Sequence, residues 1–136
     1  NALNTAFGGT GNISNGSDAQ AGGNAQARTL NNSISNGIFG TGGGATITGV
    51  NGQAVPPVAN IPAGSFITAY MNFPTVTSTT NAGVYITGAS GRAIFVYDEG
   101  IYRAGSVAGT AIDTPQEIFI HNLMSYALQR IGFSAQ

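Results

Sequence analysis

The stretch GVYITGASGRAIFVY, residues 83–97, decides the fold of this chain. It holds two runs rich in β-branched and aromatic residues, separated by the turn-forming sequence Gly-Ala-Ser-Gly at residues 88–91. Two such runs around a short glycine-containing turn are typical of a β-hairpin. The second run, residues 92–97, is almost continuously apolar, so we expect it to lie at the centre of a sheet, covered on both faces.

Three more strands are predicted before this hairpin. Residues 45–50, ATITGV, alternate between apolar and polar side chains, as a half-buried strand does. The Asn-Gly pair at residues 51–52 favours a tight hairpin turn, because both central residues of that turn need positive φ. Residues 53–55 would then be the return strand, and residues 65–71, SFITAYM, a further strand.

A helix is predicted over residues 115–131. Thr114 is a suitable N-cap, Pro115 suits the first helical position, and Glu117 completes a capping box three residues after the cap. Gly132 supplies a helix end.

This helix is expected to be amphipathic, with one face on the sheet. At about 100° per residue, six apolar residues share that face: Ile120, Leu123, Met124, Ala127, Leu128 and Ile131. The opposite, exposed face would carry Asn122, Ser125 and Gln129. The predicted fold is therefore β-rich α+β, or a degenerate Rossmann-like α/β fold, with a mixed sheet of about five or six strands and this helix packed on it.

Residues 1–33 form a distinct segment rich in Asn, Gly, Ala and Ser. Its only large aliphatic or phenylalanine residues are Leu3, Phe7, Ile13 and Leu30. We therefore expect the core to be built almost wholly from residue 34 onward, as one domain over residues 34–136. The first 33 residues would be a flexible tail, or an arm that orders against a neighbouring subunit.

The chain is unusually poor in charge. Its 136 residues include no lysine, four arginines and five acidic residues, so 7% are charged, against about a quarter in an ordinary soluble domain. The first 91 residues carry only Asp18 and Arg28. Because charge normally keeps folded monomers apart, this composition favours an extracellular or cell-surface protein that packs against copies of itself or carries sugars.

Other partners are disfavoured by the same composition. A net charge of −1 provides no long-range attraction to nucleic acid. No apolar run is long enough for a membrane-spanning helix. We therefore expect identical subunits as partners, with glycans as a second class.

The residue inventory argues against enzymatic chemistry. With no cysteine, no lysine and one histidine, the chain lacks a P-loop, a Schiff-base lysine and a zinc ligand set. His121 would share a helix flank with Glu117 and Ser125, but side chains on one straight helix do not converge on a substrate as a catalytic triad does. We expect no enzyme activity, no metal and no cofactor, and a surface His121 paired with Glu117.

One group of charged residues is a candidate ligand or cation site. Asp98 and Glu99 follow the predicted central strand, and Arg103 and Asp113 are near in sequence. Carboxylates at such a strand end could hold a cation or a hydroxyl-rich ligand. The simpler interpretation is a polar turn with an Asp98–Arg103 ion pair.

Three Asn-X-Ser sequons are candidate glycosylation sites. They begin at Asn12, Asn15 and Asn31, all within the charge-poor N-terminal segment.

Three parts of the chain resemble a known family. The stretch SISNGIFG at residues 33–40, the hairpin that runs on to Asp98, and the helix sequence FIHNL at residues 119–123 are similar to the C-terminal portion of class I glutamine-amidotransferase-like (ThuA-like) domains. The resemblance covers residues 30–132 and implies a Rossmann-like sheet flanked by helices. The first strands and the nucleophile elbow of such domains would be missing here, and the chain has no cysteine. The resemblance thus implies a retained scaffold without the enzymatic role, with an exposed sheet edge.

These observations together predict a secreted structural subunit. It would self-assemble into an extracellular filament or surface layer, with the N-terminal arm contacting the neighbouring subunit. The alternative is a non-catalytic extracellular carbohydrate-binding module derived from an amidotransferase-like fold.

Overall fold

A computed structural model of the protein describes residues 2–10, 26–48, 56–71, 77–88, 93–96, 99–102, 112 and 114–130. The helices and strands follow in chain order: α1 (Ala2–Ala6), β1 (Gln26–Thr29), β2 (Asn36–Gly37), β3 (Gly40–Thr41), β4 (Thr46–Thr48), β5 (Phe66–Met71), β6 (Ala82–Thr87), β7 (Ala93–Val96) and α2 (Pro115–Arg130). Two 3-10 turns cover Val58–Asn60 and Glu99–Tyr102. No helix in these ranges is long and apolar enough to cross a membrane.

Five strands form one antiparallel sheet with the order β4-β1-β5-β6-β7, and β2 and β3 form a separate small hairpin. The protein is therefore a β-rich α+β fold, as predicted. All pairs among the described strands are antiparallel, so within the described residues the sheet is not the mixed one of the degenerate α/β option. The predicted turn at residues 51–52 and return strand at residues 53–55 lie outside the described residues.

The predicted hairpin is confirmed, but its first strand, and not its second, is the inner strand of the described sheet. β6 pairs with β7, with Tyr85 opposite Phe95. All six residues of β6 are buried, because β5 covers its other side. β7 lies at the edge of the described sheet and is half-buried throughout. The expectation that residues 92–97 form the central strand is therefore wrong, since an apolar run does not reveal which hairpin strand gains the next neighbour.

The predicted boundary of the N-terminal arm is also wrong. β1 lies inside the sheet, where Ala27 is opposite Ile47 of β4 and Met71 of β5. Ala27 is fully buried and belongs to the core. The count of large apolar residues misses this strand because Ala27 is small and β1 is held mainly by backbone pairing on both sides.

The start of the chain packs on the same body. Asn4 of α1 is fully buried, and its Nδ2 donates a hydrogen bond to the Asn60 carbonyl at 2.9 Å. A Cβ atom at Gly9 would collide with the Asn4 side chain, so glycine allows the chain to turn closely over α1. Both described parts of the predicted arm, residues 2–10 and 26–33, therefore contact the rest of the subunit.

The main core lies between α2 and the sheet. Its buried residues are Ala27, Ile34, Ile47, Ala69, Met71, Val84, Ile86, Ile101, Phe119 and Leu123. A smaller cluster contains Ile61, Ala82 and Tyr85. In it the Tyr85 ring stacks on Phe95 at a centroid distance of 4.8 Å.

The predicted capping box of α2 is confirmed. The Glu117 backbone N–H donates to Thr114 Oγ1 at 3.2 Å, and the Thr114 backbone N–H donates to Glu117 Oε2 at 3.0 Å. Both bonds satisfy groups that an uncapped helix start would leave without partners.

Removal of this cap has a measurable cost. We expect Thr114→Ala to lower the free energy of unfolding by about 1 kcal/mol, because one N-cap bond is lost. A denaturant melt measures the change. Thr79→Ala, at an exposed loop position, is the control and should change stability by less than about 0.5 kcal/mol. Equal effects of the two changes would contradict the role of the cap.

The buried face of α2 differs from the predicted one. The buried positions among the described residues of α2 are Gln116, Phe119, Asn122, Leu123 and Ser125. Met124 and Leu128, predicted to be buried, are 49% and 41% exposed. The apolar pattern predicts the wrong buried face, because it assigns the polar residues Asn122 and Ser125 to the exposed side although both are buried.

Candidate functional site

The β2–β3 hairpin is fixed to α2 by one side chain. Asn122 Nδ2 donates to the carbonyl oxygens of Ser35 at 3.1 Å and Gly40 at 3.0 Å. Its Oδ1 accepts a hydrogen bond from the Phe39 backbone N–H at 3.0 Å. A Cβ atom at Gly37 would lie 2.6 Å from Asn122 Oδ1, so glycine at this position permits the close approach. Asn122 thus provides hydrogen-bond partners for three backbone groups in and next to the hairpin.

This docking presents apolar side chains to solvent. The hairpin turn carries Ile38, which is 64% exposed, and Phe39, whose ring lies 5.4 Å from the ring of His121. Met124 and Leu128 follow His121 on α2 at helix spacings that place them on the same exposed flank. We name Ile38, Phe39, Met124 and Leu128 the apolar surface. Sequence reasoning missed it, because it placed Met124 and Leu128 in the core.

The described side chains around the apolar surface are almost free of charge. Among the side chains that the structure describes, only Arg28 and Glu117 carry a formal charge at neutral pH. Glu117 is engaged in the capping box. Exposed apolar groups that are not separated by charges mark interaction sites more often than ordinary surface.

His121 is exposed, as predicted, but its partner differs from the expected carboxylate. Its Nδ1–H donates to the Glu117 carbonyl oxygen at 2.8 Å. Ser125 is buried, and its Oγ accepts a hydrogen bond from Gln129 Nε2 at 3.3 Å. The geometry therefore does not bring His121 and Ser125 together as a nucleophile and its base.

The predicted acidic site falls mostly outside the described residues. This is so for Asp98, Arg103 and Asp113, while Glu99 begins the second 3-10 turn and only its backbone is described. The predicted ligand site depends on a central strand, whereas β7 lies at the edge of the described antiparallel sheet. Within the described part of the chain, no group of three or more His, Cys, Asp or Glu side chains could hold a metal ion.

Of the three predicted glycosylation sites, one can be located. Asn31 is exposed at the turn after β1, close to Gly43. Asn12 and Asn15 lie outside the described residues.

Two pockets share the turn residues Ala63 and Gly64 in their linings. The larger, about 410 Å³, is lined in part by the rings of Phe7, Phe66 and Tyr126. The other, about 310 Å³, is lined mainly by aliphatic and small residues between Val58 and Ile67. Among the described lining residues Tyr126 supplies the one ionisable group, so they do not include the paired acid and base that general acid–base catalysis requires.

The face of the sheet opposite the main core holds one buried phenol. Tyr85 is 1% exposed, and its hydroxyl has no hydrogen-bond partner among the described residues. Burial raises the pKa of Tyr85 above its ordinary value, which keeps the phenol neutral. A neutral phenol stacked on Phe95 is suited to packing.

No family model, curated protein or solved structure matches this chain. The resemblance to amidotransferase-like domains therefore stays a prediction.

Proposed function

We propose that this protein is a structural subunit that assembles with copies of itself into an extracellular filament or surface layer. The observation that carries the proposal is the apolar surface, which stands exposed among described side chains that are almost free of charge. Removal of such a surface from water is favourable at about 25 cal/mol per Å². A second copy is the simplest occupant, because the described side chains of each copy bring almost no charge that would repel the other.

The extracellular location is part of the same proposal. It rests on the composition of the chain, in which Asn, Ser, Thr and Gly take the place of lysine and most acidic residues. The absence of cysteine from the sequence also means that a relation to amidotransferase-like domains would be one of scaffold and not of activity.

The predicted route of assembly through residues 1–33 needs revision. β1 is an interior strand, so a deletion of residues 1–33 would remove part of the sheet and could not leave an intact monomer. The contact we propose is therefore the apolar surface on α2 and the β2–β3 hairpin.

The decisive test replaces the exposed apolar side chains of α2. Wild-type protein should form filaments or layers in electron micrographs, whereas the double variant Met124→Glu/Leu128→Glu should form neither. Both positions are exposed, so circular dichroism should show the same folded state in both proteins. Leu3→Glu is the matched control, since Leu3 is 62% exposed on α1 and its replacement should leave the assemblies intact.

Two results would contradict the proposal. One is a wild-type protein that sediments as a monomer at every concentration. The other is a set of filaments that persists in the double variant. A monomeric wild-type protein that is retained by a polysaccharide matrix would favour the carbohydrate-binding alternative, with the pocket lined by Phe7, Phe66 and Tyr126 as the place to look.

A further inference from the structure

His121 lies among the residues of the apolar surface. The centre of its ring is 5.4 Å from the centre of the Phe39 ring. On α2, Met124 and Leu128 follow His121 by three and seven residues, spacings that bring side chains to the same flank of a helix. The His121 side chain is exposed in the single subunit. A second copy that covers these apolar side chains would therefore cover the imidazole as well.

The hydrogen bonding of His121 fixes where a second proton would go. Nδ1 carries a proton and donates it to the Glu117 carbonyl oxygen at 2.8 Å. Nε2 has no hydrogen-bond partner among the described residues. In the neutral ring Nε2 is an acceptor, and when the pH falls it gains a proton and the ring becomes positively charged.

Few other titratable groups accompany the imidazole. On the same flank of α2 the described one is Glu117, one turn earlier, whose carboxylate is engaged in the capping box. Tyr126 is five residues from His121, which places it about 140° around the helix. The β2–β3 hairpin and β4, which both pack on α2, contain no ionisable residue.

The second 3-10 turn also packs on α2, but on another side. It contacts the helix through Gln116, whose Nε2 donates to the Ile101 carbonyl oxygen at 2.8 Å. Position 116 is about 140° around the helix from position 121. The titratable residues of that turn, Glu99 and Tyr102, are therefore carried by an element that does not pack on the flank of His121.

We infer that His121 makes the association of copies through the apolar surface depend on pH, an inference that rests on the proposed function. A neutral imidazole can be covered at small cost, whereas a charged one must give up its hydration in an apolar contact. Associated copies therefore bind fewer protons than separate copies. By linkage, association is strong at neutral pH and weakens as the pH falls through the range in which histidine titrates, between about pH 8 and pH 5.

The composition of the chain isolates this effect. His121 is the only histidine, and there is no cysteine. Aspartate and glutamate ordinarily titrate near about pH 4, and tyrosine and arginine at about pH 10 or above. Histidine is thus the side chain that changes charge between about pH 5 and pH 7.5.

The test measures the lowest protein concentration at which assemblies sediment, at about pH 7.5 and at about pH 5. For the wild type this concentration should be about tenfold or more higher at the lower pH. His121→Gln is uncharged at both pH values and should assemble equally well at both. His121→Lys is charged at both and should need the higher concentration at both.

The matched control places the histidine elsewhere. Thr79→His, added to His121→Gln, returns one histidine at an exposed loop position before β6. This protein should assemble equally well at both pH values. Circular dichroism at both pH values should show the same folded state in all variants, because positions 79 and 121 are exposed.

The outcomes separate the inference from the proposed function. Wild-type assemblies that form equally well at both pH values overturn the inference and leave the proposed function standing. A pH dependence that persists in His121→Gln does the same. A wild-type protein that is monomeric at both pH values contradicts the proposed function, and the inference falls with it.

Discussion

Phe119→Ala is expected to lower the free energy of unfolding by about 3–5 kcal/mol. Phe119 is fully buried on the face of α2 that packs on the sheet, in the same cluster as Leu123 and Val84. Truncation to alanine removes most of the ring's apolar contact and leaves a cavity that the surrounding strands can fill only in part. The loss would be a large fraction of the 5–15 kcal/mol typical of a whole domain.

The control for this prediction is Met124→Ala on the same helix. Met124 is 49% exposed, so its truncation should change stability by less than about 0.5 kcal/mol. Chemical denaturation of dilute, monomeric protein measures both variants, and circular dichroism reports the loss of helix. A larger cost for Met124→Ala than for Phe119→Ala would mean that α2 packs with the face expected from the apolar pattern alone.

The second large effect is expected from Asn122→Ala, which should lower the free energy of unfolding by about 2–4 kcal/mol. The substitution removes the acceptor for the Phe39 N–H and the donors for the carbonyl oxygens of Ser35 and Gly40. Buried backbone groups that lose their partners cost about 1–3 kcal/mol each, and solvent that enters the site recovers part of that loss. The free energy of unfolding from a denaturant melt measures the total.

A local readout distinguishes this role from general destabilisation. Amide hydrogen exchange at Phe39 should become fast in Asn122→Ala, because the N–H loses its acceptor, while exchange in β6 should follow only the global change in stability. Gln129→Ala is the matched control, since Gln129 is an exposed amide on the same helix. Unchanged protection at Phe39 would contradict the proposed docking of the β2–β3 hairpin.

Several local features could be predicted from the sequence. The capping box at Thr114 forms as expected, because an N-cap depends on residues within one helical turn of each other. β5 and the β6–β7 hairpin also form where their patterns place them. In each case the relevant interactions are short-range, or they depend on the alternation of side chains along one strand.

The candidate site was harder to predict. The predicted acidic site depends on a central strand, and β7 is not central in the described sheet. The apolar surface depends on which side of α2 packs against the rest of the protein. Met124 and Leu128 are apolar and correctly spaced for a core, and no local property distinguishes them from Leu123. Which of these residues is covered depends on how α2 packs against the sheet and against the β2–β3 hairpin.

The sequence by itself determined a β-rich chain with a C-terminal helix, the two strands around residues 88–91 and the start of α2. Tertiary structure alone decided that β1 enters the sheet, that β6 and not β7 is enclosed, and that Asn122 is buried. The physical reason is that local patterns report how a segment prefers to fold and which side chains alternate. The choice of neighbour depends on pairing between segments that are distant in the chain, as when Ala27 meets both Ile47 and Met71.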